Sequence, residues 1–180
     1  MTLAEAIAAG DLLAVARHYV KAGLSVIPVR ADGSKASAIK WGEFQERLPE
    51  PDELAKWFAP HRPVGVAVVC GKVSGNLAVM DFESDIAWQR WHERVRELDL
   101  CRVFVGFPLV RTPKGGRHLY CRVRDGWVAG GKLAMRAKNE TLIEVRGQGH
   151  YVLAPGSPVA CHESNKPYTF ETMGWLSDAK

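Results

Sequence analysis

The feature that most limits the possible folds of this chain is a series of short apolar segments rich in β-branched residues. Each is too short for an ordinary helix and is bounded by glycine, proline or polar residues, which is typical of β-strands. The predicted strands lie at 24–29, 64–70, 76–82, 103–111, 117–123, 142–146, 150–154 and 168–170. Strands therefore outnumber helices.

Helical patterns are fewer. Thr2 and Glu5 form a capping-box motif, and apolar residues at helical spacing continue to Val20, which predicts one N-terminal helix. A short helix is predicted at 51–58, and a longer one begins after Ser84 and reaches about residue 98. Strands and helices in this mixture indicate the α+β class, or mixed α/β, in one continuous domain covering residues 1–180.

Composition is that of a soluble globular protein, with 47% hydrophobic and 24% charged residues. No apolar run is long enough to span a membrane and no secretory signal is evident, so we expect a cytoplasmic location. The net charge of +4 allows a polyanionic partner without requiring one. No zinc site is expected, because no C-x-x-C pair occurs among Cys70, Cys101, Cys121 and Cys161, which we interpret as reduced core residues.

The first candidate motif is an acidic pair at the end of a predicted buried strand. Asp81 and Glu83 are two residues apart, so on a strand their side chains point to the same side, about 7 Å apart at the backbone. Both can reach one divalent cation, because Mg²⁺ and Mn²⁺ favour carboxylate oxygens. A strand end entering solvent explains the same residues equally well.

The second motif is a glycine-containing basic turn before a strand. Gly115 and Gly116 allow close approach of the backbone to a ligand, Lys114 and Arg117 add positive charge, and His118 opens the strand. A ring nitrogen of His118 could donate to a phosphate oxygen. The alternative is a basic β-turn with an incidental histidine.

The third motif is a charge inside an otherwise apolar strand. Glu144 is costly there unless it is paired or binds metal. Glu144 and Arg146 share one face, so an ion pair between them is the alternative. Taken together, three acids, a histidine and basic residues at strand ends suit two-metal nucleotidyl transfer better than any one of them does alone.

In their order along the chain, these motifs resemble the bifunctional primase-polymerase family of the archaeo-eukaryotic primase superfamily. The resemblance rests on the pair Asp81 and Glu83, on the histidine motif at 116–118, and on Glu144 before the Arg-Gly turn and the Tyr-Val-Leu-Ala-Pro stretch at 151–155. It covers nearly the whole chain. The family often has aspartate where this chain has Glu144.

The resemblance implies a catalytic core related to the RNA-recognition-motif fold, packed with an N-terminal α/β lobe, with mixed sheets and lobes at roughly 1–75 and 76–180. It implies a DNA primase or DNA polymerase that uses a template, a primer, deoxynucleotides or ribonucleotides, and two Mg²⁺ or Mn²⁺ ions. Asp81, Glu83 and Glu144 would be the catalytic metal ligands. The predicted nucleotide-binding residues are His118, Arg146, Lys114, Gly116, Arg117, Lys40 and Lys35.

The same resemblance predicts that the chain is part of a longer replication protein from a prokaryotic, phage or plasmid context, with a fused or separate helicase. Two other functions remain open from the sequence. One is a non-catalytic DNA-binding or origin-recognition module, against which three clustered carboxylates argue, since they repel phosphate without metal. The other is a two-metal nuclease, which the basic histidine turn also fits.

Overall fold

The computed structural model describes residues 1–136 and 139–177, and most of its helices lie in the N-terminal part. The α-helices are α1 (Leu3–Ala9), α2 (Leu12–Lys21), α3 (Pro51–Trp57) and α4 (Asp85–Glu97). None of the helices in these two ranges has the length and apolar character needed to cross a membrane.

The N-terminal helix predicted from the sequence is in fact two helices. The capping box of Thr2 and Glu5 is confirmed. Helix α1 ends at Gly10, whose φ of 67° is left-handed, and Asp11 then accepts a hydrogen bond from the amide of Ala14 at the start of α2. The prediction of one continuous helix was wrong because a glycine followed by aspartate ends one helix and begins the next.

Most of the predicted strands are present, with small shifts at their ends. The strands are β1 (Val26–Arg30), β2 (Val64–Val69), β3 (Leu77–Phe82), β4 (Leu109–Arg111), β5 (Arg117–Arg122), β6 (Gly131–Arg136), β7 (Glu140–Arg146), β8 (Tyr151–Leu153) and β9 (Thr169–Thr172). The predicted strand at 103–111 is wrong in its first part, where Cys101–Phe104 is a 3₁₀ helix. Strand β6 was not predicted, because most of its residues are exposed and its sequence does not alternate between apolar and polar residues.

The strands form two sheets, a small one in the order β1-β2-β8 and a large one in the order β6-β7-β3-β5-β4-β9. The α+β class is confirmed. Every pairing between these strands is antiparallel, where mixed sheets had been predicted from the resemblance. Strands β2 and β3 are adjacent in sequence but lie in different sheets, because the connecting segment turns through a 3₁₀ helix at Lys72–Ser74.

One hydrophobic cluster joins the two sheets. It contains Val66 and Val68 of the small sheet together with Val79, Val110 and Tyr120 of the large sheet. The chain passes from the small sheet to the large one between β2 and β3, returns between β7 and β8, and enters the large sheet again between β8 and β9. The passage between β7 and β8 directly follows the predicted site residues Glu144 and Arg146.

The cysteines are all free thiols. Cys70 and Cys161 are buried, and Cys101 and Cys121 are half-buried. Burial raises the pKa of the Cys70 and Cys121 thiols to about 12, so both are protonated at neutral pH. Their positions agree with the prediction of reduced residues that contribute to packing.

The start of α3 is fixed by a small ion-pair network. Arg47 Nη1 lies 2.7 Å from Glu53 Oε2, and Arg47 Nη2 lies 2.6 Å from Glu43 Oε2. The amide of Glu50 also donates to Glu53 Oε2 at 2.8 Å. The hydrogen bond from Arg47 lowers the pKa of Glu53 from 4.5 to about 2.

This network gives a pH-dependent contribution to stability. Since the pKa of Glu53 is lowered by folding, its ion pair stabilises the fold above the ordinary pKa of 4.5, and the contribution is lost as pH falls towards 2. We expect Glu53→Gln to lower the free energy of unfolding at neutral pH by up to about 1 kcal/mol. Urea unfolding at neutral pH and at about pH 3 should show a smaller difference from wild type in acid. An equal difference at both pH values would contradict this, and Glu46→Gln, at an exposed position, is the control.

Candidate active site

A row of polar side chains crosses the middle of the large sheet. Asp81 of β3 lies opposite His118 of β5 on one side and opposite Glu144 of β7 on the other. Residues directly opposite each other in neighbouring strands point to the same face of the sheet. The structure therefore brings together three predicted site residues that are far apart in the sequence.

Asp81 is held between two nitrogen-bearing side chains. Its Oδ1 lies 3.4 Å from His118 Nε2, and its Oδ2 lies 3.3 Å from Arg146 Nη2. The side chain is only 14% exposed. Burial alone would raise the pKa of Asp81, but the hydrogen bond and charge interaction with His118 and the charge of Arg146 outweigh it and place the pKa below its usual value. Asp81 is therefore an anion at neutral pH.

Arg146 bridges two of the three acids. Its Nη2 lies 3.0 Å from Glu144 Oε2 as well as 3.3 Å from Asp81 Oδ2. The ion pair between Glu144 and Arg146 that the sequence left open is thus present. One guanidinium therefore compensates both carboxylates.

Glu83 completes the acidic group just beyond the end of β3. It is exposed, and its amide donates to the carbonyl of Leu142 at 3.1 Å. Burial raises its pKa, and the negative charges of Asp81 and Glu144 raise it further, against the opposing charge of Arg146 and Lys35. The charges of Asp81 and Glu144 therefore oppose the ionisation of Glu83, and a cation beside these groups would relieve that repulsion.

The donor chemistry of these carboxylates fits a hard divalent cation such as Mg²⁺ or Mn²⁺. As the side chains stand in residues 1–136 and 139–177, however, no three His, Cys, Asp or Glu residues are grouped closely enough to hold a metal ion. Metal binding by Asp81, Glu83 and Glu144 would require their oxygens to turn towards one point. It stays a prediction.

Two buried polar atoms of β5 have no hydrogen-bond partner among the residues that the structure describes. Neither His118 Nδ1 nor the Tyr120 hydroxyl makes a hydrogen bond to any residue in the described ranges. His118 is 6% exposed and Tyr120 is 1% exposed. Two residues apart on one strand, they face the same side, and buried polar atoms rarely remain unpaired. Nothing in the sequence pattern distinguishes Tyr120 from an ordinary aromatic residue in a buried strand.

The turn at 112–116 is folded tightly against the end of β3. A Cβ atom on Gly116 would lie 2.0 Å from the carbonyl oxygen of Phe82, so only glycine fits there. The amide of Gly115 donates to the carbonyl of Thr112 at 2.9 Å and is therefore not free to bind a ligand. Gly116 acts by bringing the start of β5, and with it His118, beside Asp81.

This close approach makes Gly116 sensitive to substitution. We expect Gly116→Ala to move the turn away from Phe82 and to lower the free energy of unfolding by about 1–3 kcal/mol. Gly131→Ala is the matched control, because a Cβ atom at Gly131 meets nothing within 4 Å. Urea unfolding of the two variants measures the difference, and equal stability would show that the contact with Phe82 imposes no constraint.

The predicted lysines are placed differently from one another. Lys35 lines the cleft beside Asp81. Lys114 Nζ lies 2.5 Å from Glu163 Oε1, so this lysine is already paired. Lys40 is exposed and is not among the residues that line the cleft. Of the three lysines, Lys35 is the one in position to meet a ligand beside Asp81.

Arg117 does not face the cleft. It is the neighbour of His118 on β5 and so points to the opposite face of the sheet. It is 5% exposed, and its guanidinium lies 3.0 Å from Asp85 Oδ1 and 2.7 Å from Glu171 Oε2. It also donates to the carbonyls of the two preceding glycines, at 2.7 and 3.1 Å. Arg117 is therefore placed to anchor the turn from behind, and it is not among the residues that line the cleft.

A cleft of about 400 Å³ opens in front of the polar row. It is lined by Asp81, His118 and Arg146 of the large sheet and, across from them, by Lys35, Trp41 and Tyr151. Tyr168 also lines it, with its ring centroid 5.8 Å from that of His118. Neither Trp41 nor Tyr168 was predicted as a site residue, although Trp41 directly follows the predicted nucleotide-binding residue Lys40.

A family model described as bifunctional DNA primase/polymerase, N-terminal, matches residues 16–178. The matched range includes the polar row, the turn at 112–116 and the residues that line the cleft. No curated protein matches the chain.

Proposed function

Because the chain belongs to the bifunctional DNA primase/polymerase N-terminal family, we propose that it catalyses template-directed nucleotidyl transfer in this cleft. Membership makes it a DNA primase/polymerase-type domain, for which DNA and nucleotides are the expected substrates. The observation that carries the proposal is the row in which Asp81 lies between His118 and Glu144 on adjacent strands.

The residues divide into an acidic and a phosphate-binding group. Asp81, Glu83 and Glu144 would hold the metal ions. Bound Mg²⁺ or Mn²⁺ would activate the primer 3′-hydroxyl and neutralise the triphosphate and the leaving pyrophosphate. His118, Arg146 and Lys35 would bind the triphosphate, since all three line the cleft and their side chains can donate to phosphate oxygens.

Arg146 has two proposed roles, one before the substrate binds and one afterwards. Without substrate it compensates Asp81 and Glu144 at 3.3 and 3.0 Å. When a triphosphate enters, the same guanidinium can turn from carboxylate to phosphate oxygens, for which its planar fork is equally suited. This rotation of the Arg146 guanidinium would free the carboxylates of Asp81 and Glu144 when the triphosphate binds.

The experiment that tests this function uses a labelled primer on a template, incubated with and without nucleotides and with Mg²⁺ or Mn²⁺. Lengthening that depends on nucleotides supports the polymerase or primase activity. Shortening of the primer would instead identify a two-metal nuclease and reject the proposal.

A second function, a non-catalytic DNA-binding module, is favoured by one observation. Arg146 already compensates two of the acids, and no three ligands within the described ranges are grouped around a metal position. A protein of this kind would bind DNA in a salt-dependent manner without metal. Calorimetric titration with Mn²⁺ separates the two functions: heat of binding that is lost in Asp81→Ala supports catalysis, and absence of metal binding with retained DNA binding supports the module.

A further inference from the structure

The cleft has two walls of different chemistry. The wall from the large sheet carries Asp81, His118 and Arg146 and is polar and charged. The facing wall contains Trp41 and Tyr151, both half-buried. A ligand that fills such a cleft has an anionic part and a flat apolar part.

The aromatic wall is held firmly in place. The ring centroids of Trp41 and Tyr151 lie 5.1 Å apart at an interplanar angle of 86°, which is an edge-to-face contact. The Tyr151 hydroxyl donates to the carbonyl of Lys35 at 3.1 Å and accepts from the amide of Ser37, also at 3.1 Å. Tyr151 therefore ties Trp41 to the loop that carries Lys35. The edge-to-face contact covers at most one face of either ring, and both side chains also line the cleft.

The hydrogen bonds of Tyr151 also connect the aromatic wall to the phosphate-binding side of the cleft. Lys35 lines the cleft together with Asp81, His118 and Arg146. The loop thus places an aromatic ring and a cation on one ligand-binding surface. A nucleoside triphosphate has the matching arrangement, with a planar base joined through a sugar to several negative charges.

We propose that Trp41, supported by Tyr151, is the platform on which the base of the incoming nucleoside triphosphate stacks. This rests on the proposed function and names the residue that binds the base. The triphosphate then extends towards Lys35, His118 and Arg146. Stacking on an aromatic ring tolerates any base, which suits an enzyme whose base choice is made by the template.

The test measures affinity for two probes by titration calorimetry in the presence of Mg²⁺. One probe is dATP, and the other is inorganic tripolyphosphate, which has the charge but no base. We expect Trp41→Leu to weaken dATP binding about tenfold and to leave tripolyphosphate binding unchanged. Trp41→Phe keeps an aromatic face and should restore most of the dATP affinity. His118→Ala should weaken both probes.

Trp127→Leu is the matched control, because Trp127 is 48% exposed and does not line the cleft. Unchanged dATP affinity in Trp41→Leu overturns the inference, and so does an equal loss for dATP and tripolyphosphate. A loss of affinity only for a single-stranded oligonucleotide would assign Trp41 to the template strand and also overturn it.

The failure of this inference is distinct from the failure of the proposed function. If wild type binds dATP and extends primers while Trp41→Leu matches it in both, only the base platform is rejected. If wild type neither binds dATP nor extends primers, the nucleotidyl transfer itself is rejected, and the platform with it.

Discussion

Asparagine at position 81 is expected to lower the rate of nucleotide incorporation by about a hundredfold to a thousandfold while the protein stays folded. The substitution keeps the shape of the side chain but removes the anion that lies 3.4 Å from His118 and 3.3 Å from Arg146. A neutral amide cannot serve as a metal ligand of comparable strength, and it leaves Arg146 paired with Glu144 alone. Single-nucleotide incorporation on a primed template measures the rate, and thermal unfolding verifies the fold.

The matched control for this prediction is Asp125→Asn. Asp125 is an exposed aspartate that does not line the cleft, so the control carries the same change of charge. It should incorporate nucleotides at the wild-type rate. Equal rates for the two variants would exclude Asp81 from the chemistry.

Methionine in place of Arg117 is expected to lower the free energy of unfolding by about 3 kcal/mol. Arg117 is 5% exposed and connects β5 to Asp85 at the start of α4 and to Glu171 on β9. Its loss leaves two carboxylates and two glycine carbonyls without their common donor. This loss of about 3 kcal/mol is at the low end for breaking a buried ion pair. The Asp85 and Glu171 side chains are 44% and 30% exposed, so water can solvate their carboxylates once Arg117 is removed. Urea unfolding measures the change.

Arg94→Met provides the comparison for an exposed ion pair. Arg94 Nη1 lies 2.8 Å from Glu97 Oε2, but the two side chains are 67% and 62% exposed. Its removal should cost less than about 1 kcal/mol. If the two arginine variants were equally stable, the role of Arg117 in anchoring the turn would be wrong. Under conditions in which Arg117→Met remains folded, its dATP affinity should stay close to wild type, because the guanidinium does not face the cleft.

The polar row shows how far the sequence could define the site. Strand periodicity predicts that Asp81 shares a face with Glu83 and that Glu144 shares one with Arg146. It cannot predict that β3 lies between β5 and β7, since that order depends on long-range pairing. The proximity of Asp81, His118 and Glu144 was therefore implied only by the family resemblance. The register of β3 with β5 and β7 is the physical reason for this proximity, because it places Asp81 opposite both His118 and Glu144.

Some other features could have been predicted from the local sequence, and others depend on tertiary packing. Adjacent residues on a strand face opposite sides, so the sequence alone already indicates that Arg117 and His118 point to opposite faces of the sheet. The break at Gly10 was also readable from the glycine-aspartate pair. Trp41 and Tyr168, by contrast, come to the cleft from distant parts of the chain. Only tertiary packing brings them there.

The central claim is that the protein joins nucleotides to a primer at the acidic group of Asp81 and Glu83. The most direct measurement is extension of a labelled primer by wild type and by the double variant Asp81→Ala, Glu83→Ala, with thermal unfolding of both. We expect wild type to lengthen the primer in the presence of nucleotides and Mg²⁺ or Mn²⁺. We expect the folded double variant to leave the primer unextended. Full activity in the double variant, or no lengthening by wild type with either ion, would contradict it.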